Sequence, residues 1–117
     1  MQQNISLQHT LENRADRSSV DVARLLEASI APNTAKAYGD ALRKLFEYLD
    51  GQPLTDTTLA GYLAHLYTRG LAPASVTVVV QAIRFWEKLD RRSSSVGPLT
   101  SRTLAGIRRE GRNRGRG

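Results

Sequence analysis

The arginines of this chain are its chemically most distinctive residues, and they cluster towards one end. Residues 91–117 hold eight Lys or Arg against one acid, a net charge of +7, whereas residues 1–90 hold nine against ten, a net charge of −1. The planar guanidinium group forms paired hydrogen bonds with phosphate oxygens. The asymmetry predicts a C-terminal third that faces a polyanion, although Gly-Arg stretches also occur in single-strand and RNA binders.

Residues that could catalyse a reaction or hold a metal are few and scattered. The chain has no Cys, which excludes disulfides and Cys-ligated zinc, and His9 and His65 lie far from any metal-ligand spacing. Tyr38 and Tyr62 fall in the core-facing phase of predicted helices. No group of Arg, His and Lys surrounds a tyrosine in the way that would activate a nucleophile. We therefore expect no catalytic residue, no cofactor and no metal.

Apolar residues at helical spacing predict the elements that position these charges. A helix is expected from Ser18 to Ile30, and another from Pro32 to Gly51, where Tyr38, Leu42, Leu45, Phe46 and Leu49 form one apolar side. A third should begin at a Thr55 or Asp56 cap and stop at Gly70. No apolar segment reaches the length of a signal peptide or a membrane span.

The segment from Pro73 to Leu89 carries signals for both a strand and a helix. Its three consecutive valines favour a strand by propensity. The Pro at the start, the length and the spacing of Val76, Val79, Ile83 and Trp86 favour a helix instead. After a loop at residues 91–98, Thr100 or Ser101 should cap a short last helix.

The predicted fold class is all-α, a compact bundle of four or five helices in one domain. We expect a flexible N-terminal arm at residues 1–17 and the helical domain at residues 18–110. Residues 111–117 should form a basic linker or tail, because no apolar residue follows Ile107.

Two predicted helices have a polar side that is available to a partner. On the helix from Pro32, this side begins at the positive end of the helix dipole, which favours phosphate. Its candidate binding residues are Asn33, Thr34, Lys36, Ala37, Asp40 and Arg43. The alternative is a solvated surface on which these charges pair with one another, for example Lys36 with Asp40 and Asp40 with Arg43 or Lys44.

The helix from Pro73 offers a second polar side. Gln81 and Arg84 have the hydrogen-bonding groups to contact adenine and guanine edges, and Val78 could lie against a thymine methyl. Because Ala74 and Val78 are short and apolar, phosphate contacts and DNA shape could carry more of the specificity. The candidates on this helix and in the arginine-rich segment are Ser75, Thr77, Val78, Gln81, Arg84, Arg108, Arg109 and Arg112.

Three stretches together resemble the core-binding, SAM-like N-terminal domain of the tyrosine recombinases, or phage integrases, and in particular its Cre-like members. They are SIAPNTAKAYGDALRKLFEYLD, LTDTTLAGYLAHLYTRGLAPASVTVVVQAIRFWEKL and LTSRTLAGIRREGR. The resemblance covers about residues 20–112. It implies a domain that lays two helices toward the major groove of duplex DNA, with Thr34, Lys36 and Arg43 among the DNA-facing residues.

In that family a separate C-terminal domain carries the catalytic residues. The resemblance therefore implies double-stranded DNA binding in site-specific recombination or integration, without strand exchange by this chain alone, which looks like a fragment. The expected partners are a DNA recombination site and other protomers of the same recombinase, with no membrane and no small-molecule substrate. The expected location is the cytoplasm, at a bacterial or phage nucleoid.

Two other functions remain open. The chain could be a helical protein-interaction adaptor that a basic tail tethers to nucleic acid. It could also be a helix-turn-helix transcription factor built around the Arg69-Gly70-Leu71 turn, in which the helix from Pro73 would dominate specificity.

Overall fold

The computed structural model describes residues 21, 24, 25 and 28–115. Within these residues the chain forms four helices with defined bounds and no strand. They are α1 (Pro32–Leu49), α2 (Asp56–Thr68), α3 (Pro73–Leu89) and α4 (Pro98–Gly115). The all-α prediction is confirmed, and the valine-rich segment is helical.

The segment before α1 is described only in part. Asp21, Arg24, Leu25 and Ala28 are helical, as the sequence predicts, and Arg24 lies 3.7 Å from Asp21. Leu25, a large apolar residue of this segment, is 62% exposed. The rest of that helix and the predicted arm at residues 1–17 lie outside the described residues.

The ends of α1 and α2 follow local sequence chemistry. Pro32 begins α1, and Asp50 ends it in the left-handed region at φ 48°, one residue before the predicted stop at Gly51, whose φ is 91°. Thr55 caps α2 through a reciprocal pair of hydrogen bonds with Thr58, of 2.9 and 3.1 Å. Gly70, at φ 104°, then terminates α2, because a residue without Cβ adopts this conformation without strain.

The core lies where the apolar sides of the helices meet. α1 packs mainly on α3, and α2 mainly on α4. Phe46 contacts Trp86 edge-on at 5.3 Å between ring centroids, and Tyr38 contacts Phe85 at 5.6 Å. The apolar residues buried by α1, α2 and α3 include Leu42, Leu45, Leu49, Leu59, Tyr62, Leu63, Val76, Ile83 and Trp86. None of the helices in the described part is long and apolar enough to cross a membrane.

Asp56 fixes the start of α4 from the first turn of α2. Its carboxylate accepts hydrogen bonds from the backbone N–H groups of Gly97, Leu99 and Thr100 at 3.0, 3.0 and 2.8 Å. The Thr100 hydroxyl donates in return to the Asp56 carbonyl at 3.1 Å. α4 consequently begins at Pro98, earlier than the predicted cap at Thr100 or Ser101.

The loop between α3 and α4 is held by a buried carboxylate. Glu87 is 5% exposed and accepts hydrogen bonds from the Ser95 hydroxyl at 2.7 Å and from the Ser95 N–H at 3.1 Å. A carboxylate buried this deeply requires such partners. The predicted loop at residues 91–98 therefore has a fixed path into α4.

α4 continues to Gly115, so the described residues after residue 110, where a linker or tail was expected to begin, are helical. The last turns of α4 contact the end of α2 and the start of α3. The Arg114 guanidinium lies 5.1 Å from the centre of the Tyr67 ring and 3.5 Å from Glu110. Gly111 packs against Pro73 so closely that a Cβ would overlap the proline ring.

Candidate nucleic-acid interface

A groove runs between the first half of α3 and the second half of α4. Its volume is about 540 Å³. Both walls carry polar groups, and no carboxylate lines it among the described residues. The lining residues of α3 are Pro73, Ala74, Thr77 and Gln81. Those of α4 are Arg108, Gly111 and Arg112.

The groove exists because α4 can approach the start of α3. Gly111 leaves room for Pro73 at this contact. Arg108 and Arg112 are separated by one helical turn, so both side chains project on the same side of α4. The walls thus combine two guanidinium groups with the amide of Gln81, which is exposed, and the hydroxyl of Thr77, which is half-buried.

The arginines of the groove are not neutralised by neighbouring acids. Arg108 and Arg112 are both exposed. Within the described part of the chain, neither makes an ion pair, and the nearby Glu110 pairs with Arg114 instead. Their charge is therefore available to an anion that enters the groove.

Two other arginines of the C-terminal third have structural partners. Arg92 lies 4.6 Å from the centre of the Trp86 ring and donates a 2.7 Å hydrogen bond to Asp90. Arg114 covers Tyr67 in a similar way. Not every arginine predicted to face a polyanion is thus free to do so, because part of the basic run stabilises the fold.

The polar side of α1 differs from the groove in its local charge balance. Lys36 lies 3.4 Å from Asp40, and Arg43 lies 3.2 Å from Glu47. The predicted pairing of Lys36 with Asp40 is confirmed, whereas the acid beside Arg43 is Glu47. Asn33 and Ala37 are exposed and Thr34 is half-buried. None of the six candidates of α1 lines the groove between α3 and α4.

The remaining candidates of α3 and α4 are placed around the groove. Ser75, Arg84 and Arg109 are exposed outside its lining, and Val78 is half-buried. The Thr77 hydroxyl donates to the Pro73 carbonyl at 2.9 Å, so it has only acceptor capacity left for a ligand. Of the α3 candidates, Thr77 and Gln81 alone line the groove with Arg108 and Arg112.

The tyrosines are placed in or beside the core. Tyr62 is 4% exposed, and Tyr38 packs on the core cluster, as predicted from their phase. Burial raises the pKa of Tyr62, with smaller contributions from Glu47 and Tyr48. Burial also raises the pKa of Tyr67. Both shifts disfavour the phenolate form.

Sequence reasoning missed the residues that create the groove. Gly111 lay in the predicted linker, and Asp56 was considered only as a cap for its own helix. The need for a glycine at position 111 follows only from its contact with Pro73, which joins segments far apart in the chain. The charge asymmetry and the polar side of the helix from Pro73 were the sequence signals that pointed to this surface.

A scan against protein-family models finds no match for the chain, and searches of the curated proteins and of the solved structures return no significant match. What the groove binds must therefore follow from its chemistry and geometry.

Proposed function

We propose that this chain binds double-stranded DNA as the core-binding domain of a site-specific tyrosine recombinase, and that it positions a recombination site for a catalytic domain. The single observation that carries the proposal is the groove between α3 and α4. It brings Arg108 and Arg112, which lack ion pairs among the described residues, next to the amide of Gln81.

The charge pattern supports nucleic acid over a protein partner. Phosphate contacts supply most of the affinity of a DNA-binding protein, and base-edge contacts add specificity. Arginine is suited to the first role and glutamine to the second, through two hydrogen bonds to adenine. The groove holds both residue types and has no carboxylate to repel a phosphate in its described lining.

The polar side of α1 supplies a second contact surface in this proposal. The ring contact between Tyr38 and Phe85 holds α1 directly against α3. Exposed ion pairs such as those of Lys36 and Arg43 contribute about 0.3–0.5 kcal/mol each. A phosphate therefore competes readily with Asp40 or Glu47 for these cations.

The test is selection of bound duplexes from a random pool by the whole 117-residue chain, with single strands as competitor. The proposal expects enrichment of a duplex motif, often an inverted repeat. It also expects affinity to fall steeply between about 50 and 200 mM salt, because six to ten phosphate contacts release roughly as many counterions.

Two outcomes would reject the proposal. Retention without enrichment, or preference for single strands, would leave a general polyanion binder and favour the adaptor function. An affinity that does not change with salt would exclude phosphate contacts as its main source. The chain is kept at full length because removal of residues after Arg109 would delete the last turns of α4.

A further inference from the structure

We infer that Arg108 and Arg112 hold one and the same backbone phosphate in the groove between α3 and α4, and that Gln81 faces the nucleotide attached to it. This inference rests on the proposed function and specifies how the duplex is seated.

The first step concerns the reach of the two guanidinium groups. On a helix, residues four apart have Cβ atoms roughly 5–6 Å from each other. Arg108 and Arg112 line the same groove, with Gly111 between them. Gly111 has no side chain and lets Pro73 of α3 pack directly against α4, so the two arginines line the same groove on either side of this contact in the sequence. Two long side chains that project into one such space converge on a single anion.

The second step concerns what the opposite wall offers. α3 contributes the small side chains of Pro73 and Ala74 next to Thr77 and Gln81. Thr77 has already given its hydroxyl proton to the Pro73 carbonyl. Gln81 is exposed and makes no hydrogen bond through its side chain within the described residues. It is the neutral group of this wall that still has both donors and an acceptor to offer to a nucleotide.

The third step excludes other arginines of α4 from the same role. Arg102 and Arg109 are seven residues apart and share a side of α4 that is turned by roughly 100° from Arg108, at 3.6 residues per turn. Both are exposed, and neither lines the groove. Arg102, which is not among the candidate binding residues, provides a control with the same residue type, the same helix and the same charge.

The experiment measures how duplex affinity depends on salt, using one fixed 20-base-pair duplex as the probe. The slope of log affinity against log salt counts the phosphates that the protein neutralises, at about 0.9 per phosphate. When two arginines share a phosphate, either one alone still neutralises it. Arg108→Ala and Arg112→Ala should therefore each leave the slope close to that of the unchanged chain, whereas the double variant should lower it by about 1.

The control and the contrary results are distinct from one another. The Arg102→Ala variant should leave the slope within error. If each groove arginine alone lowers the slope by about 1 and the double variant by about 2, the arginines bind separate phosphates and the inference is wrong. Equal losses in the groove variant and the control variant would also overturn it, since the helix would then act as diffuse charge. In either case the unchanged chain still binds duplex, whereas its failure to bind any duplex would reject the proposed function itself.

Gln81 has a separate measurement. In a selection from random duplexes, Gln81→Ala should relax preference at one base position and leave the salt slope unchanged. Lys88→Ala, an exposed change on the same helix, is the control and should leave the base preference unchanged. Glu87→Gln is not used because it would disturb the buried contacts with Ser95. If Gln81→Ala leaves the base preference unchanged at every position, or weakens it equally at all positions, Gln81 does not face the nucleotide in the groove.

Discussion

The polar side of α1 and the groove between α3 and α4 carry the same kinds of cation in opposite local settings. On α1, Lys36 and Arg43 each have an acid one turn further along the helix. In the groove, Arg108 and Arg112 have no such partner among the described residues, because Glu110 pairs with Arg114. The number of cations on a helix thus says less about anion binding than the position of the acids around them.

Because of this difference, the two surfaces should contribute unequally to duplex affinity, although the resemblance to a DNA-binding domain assigns both of them to DNA. Pairing at α1 gives a surface that is close to neutral until an anion displaces an acid. The groove is positive before any ligand arrives and is shaped by contacts between distant segments. If both surfaces bind duplex, the groove should supply the larger share of the salt-dependent affinity.

The largest expected effect comes from closing the groove at Gly111. A Cβ at this position would overlap the Pro73 ring, so Gly111→Ala should force α4 away from α3 and lower the free energy of unfolding by about 1–3 kcal/mol. Because Arg108 and Arg112 would be displaced with α4, the variant should also bind duplex more weakly. Denaturant unfolding and duplex titration measure the two effects.

Gly106 provides the matched control for that change. It lies in the same helix, and nothing stands within 4 Å of a Cβ built there. Gly106→Ala should raise the free energy of unfolding by about 0.5–1 kcal/mol, because alanine has the higher helix propensity. If Gly111→Ala also stabilises the chain, Gly111 does not pack closely against Pro73 in the folded protein.

A smaller effect is expected at Asp56, which positions the whole of α4. Hydrogen bonding by Thr100 lowers the pKa of Asp56 most, with further lowering by the N–H groups of Leu99 and Gly97, while burial opposes them. A lowered pKa means that the carboxylate stabilises the fold above its ordinary value of 3.8 and loses this effect as the pH falls through the folded-state pKa. Asp56→Asn should lower the Tm by about 5 °C at neutral pH.

The pH dependence distinguishes this role from general damage. The Tm difference between the unchanged chain and Asp56→Asn should shrink as the pH falls from the ordinary pKa of Asp56 through its lower folded-state pKa, because both side chains are neutral below the folded-state pKa. Asp50→Asn makes the same chemical change at an exposed residue with left-handed backbone, where Asn is well tolerated. It should leave the Tm nearly unchanged. A Tm difference at Asp56 that persists at low pH would show that the carboxylate charge is not what holds α4.

Prediction from sequence succeeded where the determining chemistry is local. Pro32, Pro73, the Thr55 cap and the Gly70 stop set helix ends through contacts within a few residues, and helical spacing placed Leu42, Ile83 and Trp86 in the core. It failed where distant segments meet. The early start of α4 depends on Asp56, more than forty residues away in the chain, and its late end depends on Tyr67 and Pro73.

The candidate site shows the same division. Helical periodicity and residue type selected Gln81, and the charge asymmetry selected Arg108 and Arg112. Their assembly into one groove could not be predicted, because it requires α4 to continue through Gly111. On α1, sequence spacing did predict the Lys36–Asp40 pair. The acid beside Arg43 depends on which rotamer an arginine adopts between Asp40 and Glu47, and spacing permits both.

The smallest predicted effect tests whether pairing restrains α1. Asp40→Asn/Glu47→Gln removes the acids beside Lys36 and Arg43 without removing a cation. Since each exposed pair is worth about 0.3–0.5 kcal/mol, duplex affinity should rise about three- to fivefold if both cations meet phosphate. Asp50→Asn, which neutralises one acid at the end of α1, is compared with each single change, Asp40→Asn and Glu47→Gln, and controls for an equal change in overall charge. If that control raises affinity as much, the gain comes from net charge alone and α1 makes no phosphate contact of its own. The groove between α3 and α4 would then be the only one of the two surfaces that binds phosphate.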